Sequence, residues 1–88
     1  MQNDSLFYFC LGEAVRHVRL EHEMTQQDLA EQGIYVSQLS RIENGRPTTL
    51  RTIIRISYAL GIKASELLHR AEDLFAEIQG GKISGDGQ

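Results

Sequence analysis

Apolar residues recur at helical spacing along this chain, and nowhere do they alternate as a half-buried strand requires. Phe7, Leu11, Ala14, Val15 and Val18 follow an i, i+4, i+7, i+8, i+11 stripe, which predicts a first helix with Asp4 or Ser5 as its cap. A second, short helix opens at "TQQDLA". Thr25 and Asp28 are spaced as a capping box there, Leu29 and Ala30 face inward, and Gly33 punctuates the end. The third covers "SQLSRIENG", Ser37 to Gly45. At about 100° per residue, Tyr35, Leu39, Ile42 and Glu43 fall on one side, with Ser37, Ser40, Arg41 and Asn44 opposite. Asn44-Gly45 and Pro47 end it. A fourth helix runs from about Thr49 to Leu60 with Leu50, Ile53, Ile54 and Leu60 as its core face, and Gly61 stops it. A fifth starts near Ser65, continues to about Gln79, and carries Leu67, Leu68, Ala71, Leu74, Phe75 and Ile78. The expectation is an all-α domain of five short helices. The close spacing of the second and third around Gly33 is the cue for a helix-turn-helix. The glycine-rich end, "GGKISGDGQ", reads as a disordered tail over residues 80–88.

With 88 residues the chain is sized for one domain, which buries only about 60% of its unfolded surface and gains from oligomerisation. No apolar run approaches the ~20 residues of a membrane span. "MQNDSLFYFC" lacks the basic and long apolar regions of a secretory signal. A single cysteine, Cys10, excludes an internal disulfide and a thiolate-rich metal site, and reads as a small core residue. An intracellular protein is expected, cytoplasmic if bacterial. His17, His22 and His69 are scattered, so neither a metal nor another cofactor is expected. No nucleophile–base set, carboxylate pair or phosphate loop points to an enzyme.

The net charge of −3 argues against a general affinity for nucleic acid, but it is unevenly spread. From Glu66 onward five acids face Arg70 and Lys82 alone, whereas residues 1–65 balance seven acids with seven bases. Arg41, Arg46, Arg51, Arg55 and Lys63 follow one another with only Glu43 among them. A basic face on an acidic protein is the implication. The polar side of the third helix suits a major groove, which admits one α-helix, and an arginine there can give guanine two parallel hydrogen bonds. Ser37, Gln38, Ser40 and Asn44 can bond to bases or phosphates. Taken alone, that face is also what any solvated helix shows.

"LGEAVRHVRLEHEMTQQDLA" resembles the first two helices of the phage repressor and Cro-like helix-turn-helix family. "SQLSRIENGR" resembles its recognition helix and following turn, and "TLRTIIRISYALGIKASELL" its last two helices. The resemblance covers Leu11 to Leu68 in order. It departs in Ala30 to Gly33, which is one residue short, in the equally short "RPTTL" link, and in Tyr35, which stands where the family often has a capping serine or threonine. The resemblance implies a compact repressor-like domain over 11–68, preceded by an extension over 1–10 that continues into the first helix. It also implies a sequence-specific regulator of transcription that binds double-stranded DNA. Val36, Ser37 and Arg41 take base-facing positions, joined by Gln38 and Ser40. Gln26 lies at a helix start whose amides attract anions; it and Gln27 are expected on phosphates, as are Asn44, Arg46 and Arg51. Glu43 falls inward, where a charge needs a partner, and the family pairs an arginine, here Arg19, with it.

Leu6, Tyr8 and Phe9 lie off the first stripe, and the last helix extends over 69–79. Leu67, Ala71, Leu74 and Ile78 are spaced 4, 3, 4, a helix–helix seam, with Phe75 beside it. The expectation is a homodimer through these five residues on an inverted-repeat operator. The alternative is that the two ends pack together within one chain. Repressor, restriction–modification controller and antitoxin all fit the resemblance. A second function fits the same scaffold: a module that binds a protein partner through its apolar ends.

Overall fold

The computed structural model describes residues 4–80. Five helices follow one another: α1 (Asp4–Glu21), α2 (Gln26–Ala30), α3 (Val36–Glu43), α4 (Leu50–Leu60) and α5 (Ala64–Ile78). The proposed tail over 80–88 lies outside the described residues except for Gly80. Asp4 and Ser5 are inside α1 rather than at its cap. Both α1 and α5 run unbroken past the limits of the family-like segment at Leu11 and Leu68.

The helix ends follow from local chemistry. Thr25 Oγ1 accepts from the Asp28 amide at 3.0 Å and Asp28 Oδ2 accepts from the Thr25 amide at 2.7 Å, a complete capping box. After α2 the chain turns over residues 31–35. Gly33 takes φ +97°, a conformation costly for any residue with a Cβ. Buried Ile34 then donates its amide to the Leu29 carbonyl. Tyr35 is the N-cap of α3 and makes no side-chain cap bond. At the far end the Gly45 and Arg46 amides close back on the Ile42 and Arg41 carbonyls, satisfying carbonyls left open by the last turn. Thr49 caps α4 through the Thr52 amide.

The core is built from Cys10, Leu11, Ala14, Val15 and Val18 of α1, Leu29 and Ile34, Leu39 and Ile42 of α3, Ile53, Ile56 and Leu60 of α4, and Leu67 and Ala71 of α5. Burial, with a smaller push from the Glu13 charge, raises the Cys10 pKa, so the thiol stays neutral. Three expectations are corrected. Tyr35 is not an inward residue; it is 76% exposed, because it precedes the first turn of α3 and its backbone is not helical. Leu50 and Ile54 are exposed, and Ile56 and Ser57 occupy the inner side of α4 with Ile53 and Leu60. This helix is apolar round most of its circumference, so periodicity alone does not select which part the neighbours cover. Leu67 and Ala71 are fully buried within the chain and cannot serve a dimer seam. The reason is α1, which packs along α5 more extensively than any other pair of helices. Phe7 and Phe75 meet at 5.7 Å between ring centroids, tilted by 60°, and Arg70 reaches Glu21 at 3.1 Å. Leu74 and Phe75 are half-buried in this packing, and only Ile78 of the proposed seam is exposed.

Two contacts fix α3 on this frame. Arg19 Nε donates to Glu43 Oε2 at 2.7 Å and Nη2 to Oε1 at 3.0 Å, a two-bond fork between α1 and α3. Their side chains are 10% and 6% exposed. The remaining capacity is used: Arg19 Nη1 donates to the Met24 carbonyl at 2.8 Å, and Gln26 Nε2 donates to Glu43 Oε1 at 3.1 Å. The hydrogen bond to Glu43 raises the Arg19 pKa against the opposing effect of burial. The second contact is steric. Gly12 lets α1 lie directly on the end of α3, where a Cβ would run into the Ile42 carbonyl. Glu43→Ala strands a buried guanidinium and is expected to cost about 3–5 kcal/mol in urea unfolding. The double variant Arg19→Met/Glu43→Leu should be milder than Glu43→Ala. Gly12→Ala must push α3 away and is expected to cost about 1–3 kcal/mol, with chemical-shift changes concentrated at Ile42 and Glu43.

Candidate nucleic-acid interface

With Leu39 and Ile42 held in the core and Glu43 in the ion-pair network, the outward side of α3 is defined. Ser37, Gln38, Arg41 and Asn44 are exposed, and Val36 and Ser40 are half-buried. The five proposed base-reading residues, Val36, Ser37, Gln38, Ser40 and Arg41, therefore differ in access. Ser37, Gln38 and Arg41 are the open ones. Their side chains are in no hydrogen bond or ion pair among the described residues, so none of those residues competes for them. Ser40 and Asn44 are joined, since Asn44 Nδ2 donates to the Ser40 carbonyl at 2.9 Å. That bond uses the Asn44 amide nitrogen, and its Oδ1 accepts no hydrogen bond among the described residues.

A groove runs beside this helix, with Tyr35, Ser37, Gln38 and Arg41 on one wall and Pro47, Thr48, Thr49 and Thr52 on the other. The sequence reading missed the second wall and Tyr35. The signal available was Thr48-Thr49 directly after Pro47: Thr49 caps α4, and both threonines line the groove beside α3. Gln26 is half-buried and its amide nitrogen is committed to Glu43. Gln27 is exposed. The capping box engages the Thr25 and Asp28 amides, so the two open amides at the start of α2 belong to Gln26 and Gln27.

Arg46 and Arg51 are exposed, as is Arg55. Among the described residues these three, Arg41 and Arg16 of α1 take part in no ion pair, whereas Arg19 and Arg70 are both paired with acids. Four unneutralised guanidiniums thus lie on α3, the link after it, and α4. The acids of α5 are on a different helix, and His69 pairs with Asp73 at 3.4 Å on its surface. Arranged this way, the chain offers planar bidentate donors and short polar groups on a protruding helix, which is the donor set that base edges and phosphates accept. Among the described residues no three His, Cys, Asp or Glu side chains gather as a metal site. No helix of the described residues is long and apolar enough to cross a membrane.

A family model described as helix-turn-helix matches residues 15–67, from the middle of α1 to the first turn of α5. No curated protein matches the chain. The matched segment holds the α2–turn–α3 unit, the Arg19–Glu43 fork and the exposed face of α3 together, and the chain belongs to the helix-turn-helix family of DNA-binding transcription regulators, of the phage repressor and Cro type.

Proposed function

We propose that this protein reads a specific double-stranded operator by laying α3 in the major groove, and that it acts as a repressor or autoregulator by occupying a promoter. The observation that carries the reading is the pairing of an exposed, internally unengaged Ser37–Gln38–Arg41 face with a buried ion-pair network directly behind it. A reader of base edges must hold its donors to a fixed depth and angle, and the network supplies that rigidity. Arg41 gives two hydrogen bonds to a guanine, Ser37 and Gln38 bond to neighbouring bases, and Val36 packs on a thymine methyl. Ser40, half-buried, acts from the edge of the contact.

Phosphates are held on both sides. Gln26 and Gln27 present open amides at the start of α2, while Asn44, Arg46 and Arg51 grip the strand beyond the recognition helix. These contacts fix register without reading sequence. Two copies on an inverted repeat, with half-sites one helical turn or about 34 Å apart, double a modest phosphate grip and offset the acidic balance of α5.

The test is selection from a random duplex pool at near-physiological salt. An enriched inverted repeat is expected; a folded protein that enriches nothing would sink the reading. Arg41→Ala is expected to weaken binding to the enriched site by about 1–3 kcal/mol and to relax preference at one base pair. Arg46→Ala should instead weaken all duplexes alike and lower the slope of log affinity against log salt by about 1.

A further inference from the structure

The start of α3 breaks a local rule that the helices on either side of it keep. Thr25 and Thr49 cap α2 and α4 with their hydroxyls, whereas Tyr35 at the start of α3 makes no side-chain cap bond. A serine or threonine there would stabilise the helix. The start of α5 also lacks a cap bond, but Lys63 stands there, a charged side chain that water solvates well. Tyr35 instead puts a large ring into solvent: it is 76% exposed and is not packed against the core. Its hydroxyl is in no hydrogen bond among the described residues. A position that breaks a local rule with no compensating contact in the fold is a functional candidate.

The groove beside α3 supplies the compensation. Its volume is about 550 Å³, with Tyr35 on the α3 wall and Thr48, Thr49 and Thr52 on the other. The lining is rich in donors. Thr48 Oγ1 is in no hydrogen bond among the described residues, and the Thr49–Thr52 hydroxyl pair, 3.2 Å apart, spends one of its two protons internally. Arg41 is the one charged residue of the lining, which holds no carboxylate. A ligand that accepts hydrogen bonds and never donates suits such walls. The phosphodiester oxygens of a nucleic acid are of this kind, whereas base edges mix donors with acceptors. Position agrees with chemistry. The threonine wall belongs to the link and the start of α4, so it stands beside α3. When a helix lies in a major groove, the strands pass along its sides.

We propose that Tyr35 is a contact to the DNA backbone, its hydroxyl donating to a phosphate seated in the groove between α3 and the start of α4. A tyrosine has only two side-chain torsions to fix, so a long reach is gained with little loss of freedom. The start of α3 is left uncapped because a serine or threonine, engaged as a cap, would be too short to cross to that phosphate. The inference rests on the DNA-binding reading above, which places phosphates at the start of α2 and on Asn44, Arg46 and Arg51, and adds a contact between them.

The unaltered chain, Tyr35→Phe and Tyr35→Ser are titrated against the duplex enriched by selection and against an unrelated duplex, each over a range of salt, and are unfolded in urea. Tyr35→Phe is expected to bind both duplexes about ten-fold more weakly. Its slope of log affinity against log salt should not change, since a neutral hydroxyl displaces no counterion; in this it differs from Arg46→Ala. Tyr35→Ser is expected to lose affinity to the same degree while its urea midpoint rises by about 0.5 M, because the cap is restored. Opposite changes in stability and binding are what a purely structural tyrosine cannot give. Full affinity in Tyr35→Phe would overturn the hydroxyl–phosphate contact. A changed preference at one base pair, without loss on the unrelated duplex, would overturn it too, and would make Tyr35 a base reader. A Tyr35→Ser chain that loses urea resistance along with affinity would overturn it by making the tyrosine a residue of the fold. Failure of the folded, unaltered chain to bind either duplex would overturn the DNA-binding reading, and this inference with it.

Discussion

One buried carboxylate organises the recognition half of this protein. Glu43 is the last residue of α3, and its two oxygens collect the Arg19 guanidinium from α1 and the Gln26 amide from α2. Three helices that share little sequence distance are thereby tied at one point. Burial of such a pair is not itself a large source of stability, since desolvation offsets most of the attraction. Its effect is directional: the fork has one good geometry, so α3 has one good orientation. Gly12 complements this by setting how closely α1 approaches. An ionic contact fixes angle and a steric one fixes depth.

The helices were legible because most of their ends carry a local cause. Thr25 and Asp28, Gly33, Asn44-Gly45, Thr49 and Gly61 terminate their elements by capping or by a left-handed turn, and neither effect depends on distant residues. The inward position of Glu43 was legible for a related reason: a charge on the core side of an amphipathic helix demands a partner. What could not be read was which apolar surface the fold covers. On α4, Leu50 and Ile54 look as core-like as Ile53, and the choice is made by where α1, α2 and α5 happen to lie. On α5, the spacing of Leu67 and Ala71 describes a helix-packing seam correctly, yet carries no information on whether the partner helix belongs to the same chain. Here it does, and it is α1. Tyr35 failed for a different reason, since helical periodicity does not apply to a residue with φ −58° and ψ 139°.

Electrostatics divides the molecule in the same way as packing. Acids gather on α5, where Glu66 joins Glu21 around Arg70. Unpaired arginines gather on α3, the following link and α4, with Arg16 apart from them on α1. A net charge of −3 therefore conceals an uneven distribution. Such a protein is repelled weakly by polyanions in most orientations and attracted in one, which favours correct docking over indiscriminate adhesion.

The separation of duties along α3 has an evolutionary reading. Leu39, Ile42 and Glu43 hold the helix, while the side chains of Ser37, Gln38 and Arg41 make no hydrogen bond or ion pair among the described residues. Mutations at the latter three positions carry almost no folding penalty. On the proposed reading, new operators are then reachable by single steps through viable intermediates, with the scaffold inherited unchanged. On the proposed reading, a lineage built on this domain diversifies its targets faster than its architecture, because the residues assigned to the target are not those that keep the protein folded.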